Sequence, residues 1–322
     1  MKKSLALVAA TVLLLPSLAS AQKYIGPDGK LRIALAKQPF APNRESPGPD
    51  TMASGGLIEK LEAMGAVVRV STAALTEEED AEYGGWKRLG MALGHYGKTI
   101  AQNEKDGYFS VGLYASCPSL PGMLAGLQNS GPPQWPLKVG LLWLDAHPDY
   151  NTPETTRSGS LGGMPVAVAA GKCLHGIRLD AGLDPPISEK HIVMGGVRLT
   201  DPLEQSLLDN SFIEVLGVDP LRTMSDELFA ELDRLYRTTD KLYVHIDMDV
   251  LDPAEVEFHG NAVPDGVSSE QLARLFEEIF ERYDKASAIG FATIPSEDPE
   301  GLALAAVHRM ILGAVNGLRA RE

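Results

Sequence analysis

The stretch Val139-Gly140-Leu141-Leu142-Trp143-Leu144-Asp145-Ala146-His147-Pro148-Asp149 joins an apolar run to a group of polar side chains. The apolar half shows no polar alternation, which is typical of a strand that is buried on both faces of a parallel sheet. In the polar half, Asp145, His147 and Asp149 are two residues apart, and alternate residues of an extended chain face the same way. Ligand sites of open parallel sheets lie at the carboxyl ends of the strands. The stretch therefore predicts a buried parallel strand that ends in a binding site.

A second stretch has the same design, because the apolar run Leu242–Ile246 leads into Asp247-Met248-Asp249. Either motif alone could be a helix cap or a turn, since aspartate is common in both. Two such motifs would bring four carboxylates together, and these would repel each other unless a cation lay between them. Oxygen donors with one or two imidazoles favour Mn²⁺, Fe²⁺, Ni²⁺ or Zn²⁺ over Ca²⁺. The pair of motifs therefore predicts a site for a divalent metal ion.

The rest of the chain places these motifs in an α/β fold. Short apolar runs alternate with amphipathic stretches, which indicates parallel strands joined by crossover helices. The predicted strands are Leu31–Ala36, Ala66–Val70, Tyr108–Leu113, Val139–Leu144, His191–Gly195, Phe212–Leu216, Leu242–Ile246 and Ser287–Phe291. Gln38–Asp50, with four prolines, is predicted to be a loop. No linker is long enough to separate two domains, so we predict one three-layer αβα domain over 22–322 with a mostly parallel eight-stranded sheet.

The amino terminus has the pattern of a targeting segment. Lys2 and Lys3 precede the apolar run Leu5–Leu15, and Ala19-Ser20-Ala21 is a cleavage signal of small residues. We predict a signal peptide over residues 1–21, with an uncut anchor as the alternative. The run is shorter than the roughly 20 residues that span a bilayer. The mature protein is expected to be exported, periplasmic or secreted, without a membrane segment.

Composition excludes several classes of protein. With 44% hydrophobic and 22% charged residues, the 322-residue chain is typical of a folded globular protein. A net charge of −14 argues against a nucleic-acid partner, because phosphate contacts require clustered lysine and arginine. Two cysteines are too few for a disulfide scaffold or a four-thiolate zinc site.

The two polar motifs resemble those of the ureohydrolase superfamily, which comprises arginases, agmatinases and formiminoglutamases. The family motif Asp-Ala-His-x-Asp matches 145–149, and the pattern Ser-x-Asp-x-Asp-x-x-Asp-Pro matches 245–253 with His245 in place of serine. The resemblance covers nearly all of residues 30–318. It implies the arginase-like fold, a small-molecule substrate whose linear C–N bond is hydrolysed, and assembly as a homotrimer or homohexamer.

The resemblance also implies a ligand set. Family members hold two Mn²⁺ ions and a bridging hydroxide that attacks a guanidinium or amidine carbon. By position, Asp145 and Asp247 would bridge the two ions, His147 and Asp249 would complete one site, and Asp149 would belong to the other. Asp149 would also orient the attacking water, which makes it a candidate catalytic residue. Mn²⁺ is the expected cofactor, as one or two ions, with Zn²⁺ or Ni²⁺ as alternatives.

One metal-ligand position departs from the family pattern. Cys117 occupies the place of a histidine ligand, and Ser116 precedes it where the family has aspartate. Cys117 could bind metal as a thiolate, which would favour a softer ion. It could instead be a bystander, which would leave one ion on the other ligands, or pair with Cys173 in an oxidising compartment. His245 could compensate for the lost imidazole, although a buried structural histidine is the simpler interpretation.

Two positions of the substrate site also differ. Gly162 replaces the histidine that shuttles protons in arginases, and Ala292 replaces the glutamate that grips the guanidinium group. Glu297 is near enough in sequence to be a substitute acid. These changes favour a modified guanidine or hydroxyguanidine over arginine as substrate. They also support a second hypothesis, a non-catalytic small-molecule binder on the same fold.

Three further residues are candidates for the site. His259 follows the second motif and could move protons, with a solvated loop histidine as the alternative. Asn151 and Ser158 align with residues that contact the amino-acid end of arginase substrates. Both are therefore candidate substrate-binding residues, although asparagine and serine are also ordinary loop residues.

Overall fold

The computed structural model describes residues 23–42 and 44–321. The predicted signal peptide, residues 1–21, lies outside the described residues and stays a prediction. Across the two described ranges, no helix combines the length and the apolar character needed to cross a bilayer.

A single sheet of eight parallel strands forms the middle layer, as the sequence predicts. The strands are β1 (Arg32–Gln38), β2 (Val67–Thr72), β3 (Phe109–Tyr114), β4 (Val139–Leu144), β5 (Ile192–Gly195), β6 (Glu214–Leu216), β7 (Lys241–Asp247) and β8 (Ala286–Ala292). Their order across the sheet is β2-β1-β3-β8-β7-β4-β5-β6. Strands β3, β8, β7 and β4 are therefore neighbours, and their carboxyl ends meet at one edge of the sheet.

Helices cover both faces of the sheet. The α-helices of the described residues are α1 (Gly48–Ala53), α2 (Leu57–Ala63), α3 (Glu77–Asp80), α4 (Gly85–Lys105), α5 (Leu120–Gln128), α6 (Pro165–Ala169), α7 (His175–Asp180), α8 (Pro202–Asp209), α9 (Val218–Thr223), α10 (Asp226–Thr238), α11 (Ser269–Arg282) and α12 (Leu302–Ala320). Leu142 and Leu144 of β4 pack with α10, α11 and α12, whereas Leu141 and Trp143 pack with α4, α5 and α6. Alternate residues of one strand thus belong to opposite halves of the core, which confirms the three-layer prediction.

The contact between α11 and α12 shows how the sequence sets the packing. Helix α11 begins at a capping box in which Ser268 and Gln271 satisfy each other's backbone donors. On α12, a Cβ atom at Gly313 or Gly317 would lie 2.3 or 2.2 Å from a backbone oxygen of α11. The two helices therefore pack at a distance that only glycine allows at these positions.

The predicted loop Gln38–Asp50 is more ordered than its prolines indicate, and this prediction was wrong in part. Phe40–Ala41 and Arg44–Glu45 form a two-stranded antiparallel ladder, and α1 begins before the predicted loop ends. The side chain of Gln38 accepts a hydrogen bond from the Phe40 amide and donates one to the Phe40 carbonyl. Because so short a ladder needs few backbone N–H donors, the prolines at its ends do not prevent it from forming.

Candidate metal centre

The polar residues that follow β3, β4 and β7 converge at the carboxyl edge of the sheet. Three overlapping groups of side chains have their ligand atoms within 4.8 Å of one another. These groups are Cys117 with Asp145 and Asp247, Asp145 with His147 and Asp249, and Asp247 with Asp249 and His259. The structure therefore brings together four of the ligands that the two motifs predict, Asp145, His147, Asp247 and Asp249, together with His259 from the loop after β7. Asp149 belongs to none of the three groups and lines the cavity beside them, so its role as a ligand stays a prediction.

Backbone amides fix the direction of the carboxylates. Asp145 Oδ1 accepts a hydrogen bond from the His147 amide at 2.7 Å, and Asp247 Oδ1 accepts one from the Asp249 amide at 3.0 Å. Asp249 Oδ1 accepts from the Ala146 amide at 3.1 Å, which ties the two motifs together. Asp145 and Asp247 thus each use one oxygen to hold their own turn, whereas Asp249 uses one oxygen to hold the other motif.

One of the remaining oxygens shows that the site fits a cation. Asp145 is 1% exposed, and its Oδ2 atom has no hydrogen-bond partner. Buried polar atoms in folded proteins are nearly always satisfied, so an orphaned carboxylate oxygen requires an explanation. A divalent ion among carboxylates and an imidazole supplies one, and this donor set suits Mn²⁺, Zn²⁺ or Ni²⁺.

The electrostatics of the centre lead to the same conclusion. Burial, and then the neighbouring carboxylates, raises the pKa of Asp145, Asp149 and Asp247 above the ordinary value for aspartate. For Asp249, burial is outweighed by the hydrogen bond from His147 and by the charge of that imidazole, so the pKa of Asp249 is lowered. His147 Nδ1 lies 3.2 Å from Asp249 Oδ2 and 3.3 Å from Asp145 Oδ1. One imidazole cannot neutralise four buried acids, whereas one or two divalent ions can.

Two residues of the centre have unusual backbone conformations. Asp149 has φ +50° and Thr293, directly after β8, has φ +62°. A β-branched residue at positive φ is an outlier that the surrounding structure has to enforce. The Thr293 hydroxyl donates a hydrogen bond to Asp247 Oδ2, which holds this carboxylate from the side of β8. The sequence carries no signal for Thr293, because threonine after a strand is an ordinary residue.

Cys117 lies in the centre, and its disulfide interpretation is wrong. Cys117 and Cys173 are both free and buried; Cys117 follows β3, whereas Cys173 lies between α6 and α7. The Cys117 thiol donates a hydrogen bond to Asp247 Oδ2 at 2.9 Å. Burial, then Asp247 and the other acids, raises the pKa of this thiol well above the ordinary value. His245 is the buried histidine of the simpler interpretation, and burial lowers its pKa to about 3.

A cavity of about 320 Å³ opens over the acids. Its wall contains Asn151 and Ser158, and their role as substrate-binding residues stays a prediction. It also contains Asp201 and Glu204, which sequence reasoning missed. Their spacing forms a capping box at the start of α8, so in the sequence they indicate only a helix terminus. Asn151 Nδ2 donates a hydrogen bond to Asp201 Oδ2 at 3.3 Å, which joins the predicted and the missed residues.

The changed family positions leave gaps in the cavity wall. Gly162 lines the cavity without a side chain, and Ala292, the last residue of β8, is buried and does not line it. Glu297 lines a separate depression together with Glu255 and Pro299, so it does not supply the missing acid.

His259 is buried, so its alternative as a solvated loop histidine is wrong. Its Nε2 atom lies 3.6 Å from Asp247 Oδ1, and its Nδ1 atom accepts a hydrogen bond from the Asn261 amide at 3.3 Å. Asn261 lines the cavity over the acids and also a second cavity, which His259 lines. His259 therefore lies beside the wall that the two cavities share, and it lines the second cavity only.

Comparison with known proteins agrees with this geometry. The model of the arginase family matches residues 120–310. An arginase of Agrobacterium fabrum is 29% identical, with 71% of this chain and 72% of the relative covered, and arginase-1 of Rattus norvegicus is 30% identical over 72% and 74%. Among solved structures, an arginase of Bacillus subtilis has a TM-score of 0.76 at 21% identity and covers 88% of this chain and 98% of its own. A formimidoylglutamase of Bacillus subtilis has a TM-score of 0.68 at 13% identity, with coverage of 98% and 96%.

Proposed function

Because this chain belongs to the arginase family and is therefore an amidinohydrolase, we propose that it hydrolyses a guanidine or amidine C–N bond with the help of bound metal ions. The observation that carries this proposal is the convergence of Asp145, His147, Asp247 and Asp249 around an unpartnered carboxylate oxygen. Assembly as a homotrimer or homohexamer belongs to the same proposal and rests on the family resemblance alone.

The proposed roles follow from the positions of the side chains. Asp145, His147, Asp247 and Asp249 would hold one ion, for which Mn²⁺ is the first candidate and Zn²⁺ or Ni²⁺ the alternatives. Bound ions supply hydroxide near neutral pH by lowering the pKa of water. Asp149, at the same edge of the cavity, would orient the attacking water or contribute to a second ion.

We propose a substrate with a cationic end, and the charge of the cavity wall supports this. Asp201 and Glu204 give one wall a negative charge, and Asn151 and Ser158 add neutral polar groups beside them. A protonated guanidinium group is held best by a carboxylate partner, and Ala292 provides none. A modified guanidine, such as a hydroxyguanidine, would depend less on that partner than arginine does.

The test combines metal analysis with a substrate panel. Elemental analysis of the purified protein is expected to find one or two equivalents of a divalent metal. Protein that has been stripped and then reloaded with Mn²⁺, Zn²⁺ or Ni²⁺ should hydrolyse at least one compound among guanidines, amidines and formimino compounds. The absence of both bound metal and turnover would refute the proposal, whereas binding without turnover would favour the small-molecule binder.

Replacing His259 by glutamine is expected to lower kcat by about a hundredfold without changing the metal content. The Asn261 amide donates to Nδ1, so the neutral ring carries its proton on Nε2, which faces Asp247. Metal-ligating histidines show the reverse arrangement, because their second nitrogen donates. We therefore propose that His259 moves protons at the Asp247 side of the centre rather than binds metal.

The measurements are steady-state kinetics and metal stoichiometry on the same samples. His95→Gln is the control, because His95 lies on α4 and pairs with Glu79 outside the metal centre. A loss of metal in His259→Gln would show instead that His259 is a ligand.

A further inference from the structure

A buried chain of polar side chains lies behind the metal centre. Tyr114 and Tyr243 share a hydrogen bond of 2.9 Å between their hydroxyls, and Tyr243 lies 2.9 Å from His245 Nδ1. His245 Nε2 lies 3.4 Å from Cys117 Sγ, which in turn contacts Asp247. This series of side chains therefore leads from the interior of the sheet to the Asp247 carboxylate of the metal centre, and Cys117 is its last neutral member.

The residues around this series of hydrogen-bonded side chains leave room for it. The His245 ring is stacked on Trp143 and on Tyr114, with ring centroids 4.2 and 5.6 Å apart and interplanar angles of 7° in both pairs. A Cβ atom at Gly112 or Gly290 would lie 2.0 or 2.5 Å from the Tyr114 hydroxyl. Glycine at these two strand positions admits the hydroxyl, and the stacking fixes the plane of the imidazole ring.

The direction of the hydrogen bonds follows from the last contact. The Cys117 thiol has one proton, and it points to Asp247 Oδ2, which accepts it. The atom that faces His245 is therefore a sulfur lone pair, so Nε2 donates and Nδ1 accepts from the Tyr243 hydroxyl. His245 thus offers an N–H donor to sulfur.

A second observation shows what the sulfur faces. Cys117 shares its ligand group with Asp145, whose Oδ2 atom is buried and without a partner. Cys117, Asp145 and Asp247 bring one sulfur and two carboxylates within 4.8 Å of one another. This group shares Asp145 with the group that includes His147 and Asp249, and its other two members are different.

We propose that Cys117 is a sulfur ligand of a second metal ion held with Asp145 and Asp247, and that His245 is a positioning residue that donates its Nε2–H to this sulfur. On ligation the S–H bond breaks, its proton passes to solvent, and a sulfur lone pair forms the bond to the ion without any change of oxidation state. The inference rests on the proposed function and deepens it. Because thiolate favours softer ions, this site would select Zn²⁺ or Co²⁺ over Mn²⁺.

The experiment uses Co²⁺ as the probe in the full-length protein. Wild-type protein with two equivalents of Co²⁺ is expected to show a sulfur-to-cobalt charge-transfer band in the near ultraviolet. Cys117→Ser should lose the band and bind the second equivalent at least about tenfold more weakly, whereas Cys173→Ser should retain both properties. Cys117→His, which restores the imidazole of the family pattern, should bind two equivalents without the band.

The role of His245 has its own spectroscopic test. An N–H donor lowers the energy of the sulfur lone pairs, so His245→Phe, which keeps the stacked ring but has no donor, should shift the band to longer wavelength. His245→Gln, which retains an N–H donor, should shift it less. An identical band in all three proteins would refute the positioning role.

The outcomes separate this inference from the proposed function. Two bound Co²⁺ ions without the band in the wild type would refute sulfur ligation, and metal-dependent hydrolysis in the same sample would leave the proposed function intact. The band in a protein that hydrolyses none of the panel would support sulfur ligation and refute the hydrolase proposal.

Discussion

Replacing Asp247 by asparagine is expected to lower kcat by about a thousandfold or more and to reduce the bound metal. Asp247 belongs to two of the three ligand groups and is the acid on which Cys117 and Thr293 converge. The amide keeps the size and one oxygen of the carboxylate but removes its charge. The loss therefore measures electrostatic binding of the metal rather than a change in packing.

The matched control for this variant lies in the same motif. Asp252→Asn alters the third acid of the sequence pattern, which holds the Ala254 amide and does not line the cavity over the acids. Asparagine can make the same hydrogen bond, so turnover and metal content should stay at the wild-type level. Full activity in Asp247→Asn, with metal still bound, would exclude the proposed centre.

The sequence predicts the strands and the acid cluster because both depend on short-range periodicity. Val139–Leu144 is a strand with the predicted bounds, since a continuous apolar run of this length satisfies a strand that is buried on both faces. The convergence of Asp145 with Asp247 follows from parallel strands, whose carboxyl ends meet at one edge. Neither result depends on how the loops fold.

The parts of the site that were missed depend on loop geometry. Thr293 reaches Asp247 only because its backbone has a positive φ, and the sequence has no glycine there to indicate such a turn. The burial of His259 depends on how the loop after β7 folds back over the acids. Asp201 and Glu204 indicate a helix cap in the sequence, and only the packing of α8 shows that they also face the cavity.

Removing the metal is expected to destabilise the protein, and the loss should grow as the pH rises. An ion that binds only the folded state at a thousandfold over its Kd adds about 4 kcal/mol to the free energy of unfolding. In the metal-free protein, the raised pKa values of Asp145, Asp149 and Asp247 mean that the folded state holds protons that the unfolded chain has released. Stability therefore falls as the pH rises above 3.8, the ordinary value for aspartate, and continues to fall until the folded acids ionise.

The other two groups of the centre do not cancel this trend. Burial lowers the pKa of His147, but the hydrogen bond to Asp249 and the negative charge of Asp249 outweigh burial, so the pKa of His147 is raised. The contribution of His147 to stability is therefore also lost as the pH rises. Asp249 has the opposite sign, since its lowered pKa gives a contribution that is lost only on acidification. The stabilising contributions of three acids and one imidazole are thus lost as the pH rises, whereas that of one acid is lost as the pH falls. The slope should be about 1.4 kcal/mol per pH unit for each proton by which the folded state exceeds the unfolded state.

Urea unfolding between pH 5 and pH 8, with chelator and with saturating metal, measures this slope. Metal should flatten it, because the bound ion compensates the carboxylate charges that otherwise accumulate in the folded state. Asp149→Asn should reduce the slope of the metal-free protein, whereas Asp209→Asn, on the exposed end of α8, should leave it unchanged. Equal slopes with and without metal would mean that the four acids are not held together by an ion, which would contradict the metal centre independently of any assay of turnover.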